Sequence, residues 1–427
     1  MIEAPAGATN RASAVTRRQF FAGAAALAMS AAGDPAWAGD EAYWARVAAD
    51  FDIALDPVPL ENGNWGVMSR PVLQAYLELT RSVNRRNTAY ARDEYPADLE
   101  RVRSRVASAL GVDAAELALT RNATESLQGL IAAYGGLRAG DEVLIADLDY
   151  PAMQSAMRWL HRERGVGVVE IALPEPATYD GLIEAYDKAL TVHPKVKLML
   201  LTHLGHRTGL VLPVREIVER ARARGVDAIV DSAHAFGQLN VRIPDLGADF
   251  VGFNLHKWFG APIGCGALYV ARHRLPDMQA HMAESAPLKD IRQLVYSGTM
   301  NFAALLAVPA ALDYHAAIGA GRVEARLRHL RRSWVEPLRG RPGLQMLTPP
   351  DERLAGGIAA FRLEGRRTDA ENAAISRWLR QEFGIMTVHR TGAAGGACVR
   401  VSPAIFTTPE HIERLVQALR TLSSGVA

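Results

Sequence analysis

The feature that most constrains this chain is an alternation, from about residue 140 to 270, of short β-rich runs with helical stretches. The runs are EVLIAD (142–147), VGVVEIAL (166–173), VKLMLLTH (196–203), DAIVDSA (227–233), DFVGF (249–253) and GALYVA (266–271). Between them lie PAMQSAMRWLHRERG, TYDGLIEAYDKALTVH and PVREIVERARARG, the last with Pro213 at its start and Gly225 at its end. Proline suits a first helical turn and glycine the residue just past the last one. A strand that must cross over a helix to reach the next strand pairs with it in parallel, so the pattern predicts an α/β fold with a mostly parallel central sheet flanked by helices.

Past Tyr296–Ser297–Gly298–Thr299 a long helical region follows, and near residue 340 the character changes. GGIAAFRLEG and ACVRVSPAIF read as strands, DAENAAISRWLRQEFG and PEHIERLVQALRTL as helices, which predicts a smaller α+β domain. The expected organisation is a segment 1–38 outside the fold, 39–66 joining the small domain, 67–310 as the large domain and 311–427 as the small C-terminal domain. A chain of 427 residues, 49% hydrophobic, can bury cores of that size.

Residues 1–38 contain Thr16–Arg17–Arg18–Gln19–Phe20–Phe21, the small and apolar AGAAALAMSAAG, and the A-x-A pattern Ala36–Trp37–Ala38. They resemble a bacterial twin-arginine export signal with cleavage after Ala38, which implies a periplasmic protein. The apolar stretch is shorter than the roughly 20 residues that a membrane span needs. No other segment reads as a span, so no stable membrane span is expected after cleavage.

A net charge of +2, with no long basic run, argues against a nucleic-acid partner. Cys265 and Cys398 are too few for a disulfide framework or a metal cluster, so no metal is expected. Arginine fills nearly every generic cation position, because lysine occurs only as Lys188, Lys195, Lys197, Lys257 and Lys289. Lys257, in NLHKWFG directly after a strand-like run, therefore stands out as a candidate for chemistry that a guanidinium cannot perform.

Ligands of open parallel sheets gather beyond the carboxyl ends of strands. Those ends carry Asp149–Tyr150–Pro151, Gly205–His206–Arg207–Thr208–Gly209, Asp231–Ser232–Ala233–His234 and His256–Lys257. Thr120–Arg121–Asn122–Ala123–Thr124–Glu125–Ser126 opens a helical run, where free backbone N–H groups and hydroxyls can hold a phosphate. These parts, in this order from about residue 60 to 410, resemble the class V aminotransferase group of pyridoxal-phosphate enzymes. That is the fold type I family that also holds cysteine desulfurases and isopenicillin N epimerase.

The resemblance implies pyridoxal 5′-phosphate as cofactor, with Lys257 as the lysine that condenses with its aldehyde. It implies Asp231 as partner of the pyridine nitrogen, His234 at the phenolic oxygen, Tyr150 stacked on the ring, and Ala123 and Thr124 in the phosphate turn. Asn254 and His256 match a Ser-x-His-Lys phosphate contact, with Asn in place of Ser. Thr299 matches a residue reaching the neighbouring subunit's phosphate, which implies a homodimer. Arg400 matches the clamp on the substrate α-carboxylate, a bidentate task suited to arginine, while Asn64 and His206 fall near the substrate and cofactor.

The resemblance implies a small-molecule or peptide amine as substrate and leaves several reactions open: transamination, epimerisation, decarboxylation or elimination. A cysteine desulfurase or C–S lyase-type enzyme is a further alternative; a desulfurase needs a mobile loop with a nucleophilic cysteine, and His389–Ala397 has none. THLGHRTG, DSAHAFGQL and HKWFGAPIG look closest to the isopenicillin N epimerase-like branch. Export added to this branch resembles the secreted enzymes that modify the glutamyl group of a pyoverdine-type siderophore, so an exported aminotransferase-like enzyme is the leading expectation. A non-catalytic pyridoxal-phosphate-binding protein is the competing class. A nicotinamide dehydrogenase is disfavoured because no GxGxxG follows the first strand run.

Overall fold

The computed structural model describes residues 35–285 and 288–425, all within one unit, Asp34–Ala427. In chain order the elements of its first half are α1 (Glu41–Ala48), β1 (Val58–Pro59), α2 (Arg70–Asp93), α3 (Tyr95–Leu110), β2 (Leu117–Thr120), α4 (Ala123–Ala133), β3 (Glu142–Ala146), α5 (Pro151–Arg164), β4 (Gly167–Ile171), α6 (Tyr179–Val192), β5 (Val196–Thr202), α7 (Val214–Arg222), β6 (Asp227–Asp231), β7 (Phe250–Asn254) and β8 (Gly266–Val270). The second half has α8 (Phe302–Leu306), α9 (Val308–Ile318), α10 (Ala320–Val335), β9 (Leu344–Met346), β10 (Ala359–Leu363), α11 (Asp369–Phe383), β11 (Ile385–Met386), β12 (Val388–Arg390), β13 (Cys398–Val401) and α12 (Pro409–Ser423).

A seven-stranded sheet runs in the order β2-β8-β7-β6-β5-β3-β4. The pairs β4–β3, β3–β5, β5–β6 and β6–β7 are parallel. Their carboxyl ends therefore open on one edge, and Asp147–Tyr150, His203–His206, Asp231–His234 and Asn254–Lys257 follow directly from them. Strands β7 and β8 are buried along their whole length, as an interior strand covered on both faces must be. Successive side chains of β5 and β7 enter opposite cores: Met199, Leu201, Val251 and Phe253 on one face, Leu198, Leu200 and Phe250 on the other. Each such side chain contributes on the order of 1.5–3 kcal/mol by leaving water.

A four-stranded antiparallel sheet, β12-β13-β10-β9, forms the second layer. Leu330 and Trp334 of α10 and Leu415 and Leu419 of α12 pack on its Phe361, Val399 and Val401. The N-terminal segment is woven into this part of the molecule. Strand β1 pairs in parallel with β11, Glu61 bridges to Ser402, and the Asn62 amide donates to the carbonyls of Pro59 and Ser402.

The alternating runs become strands within a residue or two at most ends, with two differences. The GALYVA run is antiparallel to β7 rather than one more parallel strand, and β2, which the sequence pattern did not single out, continues the sheet beyond it. Both cysteines are free and buried. Among the described residues no single helix is long and apolar enough to cross a membrane, and no cluster of potential metal ligands occurs.

The Arg17–Arg18 leader lies outside the described residues. The expected cleavage position does not. Ala36–Gly39 form a turn of 3₁₀-helix, Ala38 is 0% exposed, and its carbonyl accepts a hydrogen bond from Arg326.

Candidate active site

At the end of β7 the chain leaves the sheet through Leu255 and turns so that Lys257 faces the carboxyl edge of β6. Its Nζ lies 3.0 Å from His234 Nε2. Burial, with Arg400 and Arg390 nearby, pushes the Lys257 ammonium down to about 8, and Asp231 works in the opposite direction. The same desolvation holds His234 well below the ordinary histidine range, reinforced by Lys257 and Arg400. His234 Nδ1 accepts from Trp258 Nε1 at 3.4 Å. A neutral ring that accepts at Nδ1 carries its proton at Nε2, so His234 donates to a neutral Lys257 amine.

Asp231 ends β6, buried, with Oδ1 accepting the Ala233 N–H at 2.9 Å. Burial raises its pKa, and a cation held against it would restore the charged form. A second buried carboxylate, Asp149, accepts from the Ala146 N–H at 2.8 Å and the Thr202 hydroxyl at 2.6 Å. Burial pushes Asp149 up to about 7. Both its oxygens are committed to fixing the β3 and β5 ends.

Tyr150 follows at the N-terminus of α5, 41% exposed, with the ring of His206 edge-on at 5.1 Å. His206 is buried and held well below the ordinary range by desolvation and by Arg207 and Arg400. Its carbonyl accepts from Arg400, which makes it part of the support of that arginine.

The turn into α4 is capped by Asn122, whose side chain accepts the Glu125 N–H at 2.9 Å. The Ala123 N–H is already donated to Asn254 Oδ1 at 2.8 Å, while Asn254 Nδ2 reaches the Ala233 carbonyl at 3.4 Å. Both ends of the Asn254 amide are therefore spent on holding α4, β7 and the β6 turn together, and Ala123 and Asn254 act here as framework. The Thr124 N–H and hydroxyl make no hydrogen bond among the described residues, and they lie in the first turn of α4, where the helix dipole favours an anion. His256 donates through Nδ1 to the Cys265 carbonyl at 2.8 Å, which leaves Nε2 for a further partner.

On the other side, Arg400 projects from β13, 0% exposed, and donates to the His206 carbonyl at 2.7 Å and to Glu61 Oε1 at 2.5 Å. The loop carrying Asn62, Gly63 and Asn64 crosses between Arg400 and Lys257. A Cβ on Gly63 would lie 2.7 Å from Arg400 Nη2, and one on Gly66 1.7 Å from the Lys257 carbonyl oxygen. Asn64 is exposed on that crossing. Lys257, His234, Asp231, Tyr150, His206 and Arg400 thus converge through shared contacts or electrostatic coupling. Thr299 does not join them within one chain: it is exposed in a bend before α8.

Three residues of this neighbourhood escaped the motif reading. Trp258 orients His234, and Glu61 and Arg390 accompany Arg400. Trp258 is legible in retrospect as the neighbour of Lys257; the other two are brought in only by strand register. Cys398 is fully buried beside Arg400, and burial pushes its thiol up to about 11, so it is not a thiolate nucleophile.

The chain matches the Aminotransferase class-V family model over residues 68–415. Among curated proteins it is 32% identical over 390 residues to the isopenicillin N epimerase of Streptomyces clavuligerus, covering 87% of this chain and 96% of that one. It is 28% identical over 418 residues to a probable cysteine desulfurase of Xylella fastidiosa, covering 88% and 94%. Among solved structures, a cysteine desulfurase from Escherichia coli superposes with TM-score 0.73 at 22% identity, over 89% of this chain and 98% of the other.

Proposed function

Because the chain belongs to the aminotransferase class-V family, we propose that it is a pyridoxal-phosphate enzyme that removes the Cα proton of an amine bearing an α-carboxylate, with Lys257 as base. The observation that carries this reading is the Lys257–His234 pair: an amine pushed down to about 8, 3.0 Å from a neutral imidazole, at the carboxyl edge of the sheet. A general base works best with a pKa near the working pH.

The residues present fit the cofactor. Thr124 and the α4 N-terminus, with His256 Nε2, offer an uncommitted polar cradle for a phosphate, and buried Asp231 offers a carboxylate to a pyridinium nitrogen. When bound, pyridoxal phosphate supplies a carbonyl for the substrate amine and an electron-withdrawing ring that makes Cα acidic. Tyr150 presents a ring face beside the site, Arg400 orients the substrate carboxylate, and the loop over Lys257 limits access of water. Yellow colour in cofactor-supplemented protein, and a pyridoxyl group mapped to Lys257 after borohydride reduction, are the expected results. A colourless, unlabelled protein would overturn the reading.

The absence of a cysteine from 389–397 and the buried Cys398 thiol disfavour the desulfurase route. Two outcomes of the shared first step are in contention. The aminotransferase-like outcome, with export and action on the glutamyl group of a pyoverdine-type siderophore, is supported by Arg17–Arg18 and the small, apolar leader. Epimerisation is supported by the 32% identity to isopenicillin N epimerase. Incubation with the siderophore precursor and an α-keto acid as amino acceptor separates them by mass: transamination changes the precursor, epimerisation does not, and an unchanged precursor with unchanged stereochemistry removes the siderophore proposal. Exposed Thr299 and Tyr296 support a homodimer in which that segment faces a second subunit, and sedimentation at the mass of two chains is expected.

A further inference from the structure

The carboxylate clamp already holds a carboxylate from the protein itself. Glu61 Oε1 accepts from Arg400 Nη2 at 2.5 Å and from Arg390 Nη2 at 3.4 Å, and its side chain is only 11% exposed. Glu61 Oε2 and both guanidinium Nε atoms are buried without a hydrogen-bond partner. Arg390 and Arg400 come from adjacent antiparallel strands, β12 and β13. The Glu61 backbone is pinned: Ser402 N–H donates to the Leu60 carbonyl at 2.8 Å and Asn62 N–H to the Ser402 carbonyl at 3.1 Å. Among the described residues, the Glu61 side chain itself is held only by hydrogen bonds from these two arginines.

A bidentate grip on an incoming carboxylate uses two N–H donors of one guanidinium edge. On Arg400 one Nη1 N–H is donated to His206, and the Nε–Nη2 edge pairs a buried, unpartnered Nε with the Nη2 that Glu61 holds. We propose that Glu61 is a specificity-determining residue that occupies Arg400 in the unliganded site and passes to Arg390 when a substrate carboxylate takes the Nε–Nη2 edge. The exchange gives up the Arg400 hydrogen bond and tightens the long one that Glu61 already accepts from Arg390, and no proton is transferred. Two guanidinium groups and one carboxylate leave a single positive charge, so the clamp has capacity for one substrate carboxylate. A neutral amide or a decarboxylated amine cannot displace Glu61, and such amines are rejected because Arg400 keeps its internal partner. The inference rests on the reading of Arg400 as the substrate clamp.

Acetate, as the simplest carboxylate probe, and acetamide, as its neutral counterpart, are titrated into cofactor-loaded wild-type, Glu61→Gln, Arg390→Gln and Arg400→Gln proteins by calorimetry. Glu61→Gln removes a charged competitor whose hydrogen bond is worth enough to change acetate affinity about tenfold, so its acetate Kd falls by about that factor while acetamide stays unbound. Arg390→Gln strips Glu61 of its alternative partner, and the acetate Kd rises severalfold. Unchanged or weaker acetate binding by Glu61→Gln, with Arg400→Gln abolishing binding, overturns the role of Glu61 and leaves the clamp standing. Undiminished acetate binding by Arg400→Gln overturns the clamp itself. Should Glu61→Gln fail to fold, Glu61→Asp keeps the charge at shorter reach, and acetate then binds more tightly than in wild type by a smaller factor; unchanged binding there counts against the proposal. Loss of negative charge alone would tighten acetate binding in Glu61→Gln but not in Glu61→Asp, so tightening in both variants separates displacement of Glu61 from a general charge effect.

Discussion

At the scale of single residues the site is a set of titration states fixed by burial. Lys257 has a folded-state pKa near 8 against an ordinary value of 10.5. Between those values the unfolded chain holds the proton and the folded cofactor-free protein does not, so stability rises with pH across that window. Below about 8 both states are protonated and the full penalty of burying the charge is present. Urea unfolding of cofactor-free wild type and Lys257→Met at pH 8 and pH 10 should show the gap between them changing in favour of wild type at the higher pH. A constant gap would mean that the fold does not disfavour the ammonium. Trp258 acts through His234: its indole N–H favours the neutral ring with Nδ1 as acceptor. Trp258→Phe removes that donor, so the acid limb of the kcat/KM profile should move to higher pH, with kcat reduced severalfold. An unmoved limb would leave Trp258 as packing alone.

At the scale of elements, the site exists because four of the five parallel strands, β3, β5, β6 and β7, carry its residues at their common edge and a helix N-terminus is tied to that edge by one side chain. Asn254 accepts from Ala123 and reaches the Ala233 carbonyl, joining β7, α4 and the turn after β6. Asn254→Ala orphans a buried N–H, a loss of about 1–3 kcal/mol. It also loosens the end of α4 that presents Thr124, so dilution should release pyridoxal phosphate faster than from wild type, read from the decay of its visible absorbance. Destabilisation with unchanged release would place Asn254 outside the phosphate cradle.

The same elements show what the sequence could reveal. The parallel strands were legible because each is a short apolar run of β-branched and aliphatic residues bounded by helix punctuation, and their ends carry residues whose chemistry is hard to explain otherwise. The short strand β2 was not, since four residues give too little pattern. Strands β1, β11 and β12 are two or three residues long and depend on partners distant in sequence. Glu61 and Arg390 illustrate the consequence: among 46 acidic and 48 basic residues neither is conspicuous. Only the pairing of β12 with β13 and the Glu61–Ser402 bridge place them against Arg400. Asn254 was found by its position next to Lys257, but its work as a tie between elements required the geometry.

At the scale of the whole molecule, the expected cleavage after Ala38 meets the folded body of the protein. Arg326, 1% exposed on α10, donates to the Ala38 carbonyl at 3.2 Å, to both Glu41 oxygens at 2.5 and 2.9 Å and to the Thr407 carbonyl at 3.1 Å. Its guanidinium lies 5.4 Å from the centre of the Trp44 ring, and Trp44 Nε1 donates to the Trp37 carbonyl at 3.0 Å. Residues 36–44 thus fasten α1 to α10 and to the turn before α12. Proteases cut exposed segments that can be drawn out from the surface, and the twin-arginine route that the leader resembles delivers chains already folded. An exported chain should therefore keep Ala36–Gly39 and be cut, where it is cut, before Pro35. Intact mass of the protein recovered from a periplasmic fraction decides this, because a chain beginning at Gly39 would show that the segment is open during processing. Arg326→Gln sharpens the comparison. It removes charge-assisted bonds from a buried junction worth on the order of a few kcal/mol, so Ala36–Gly39 should open often enough for a fraction of the exported protein to begin at Gly39.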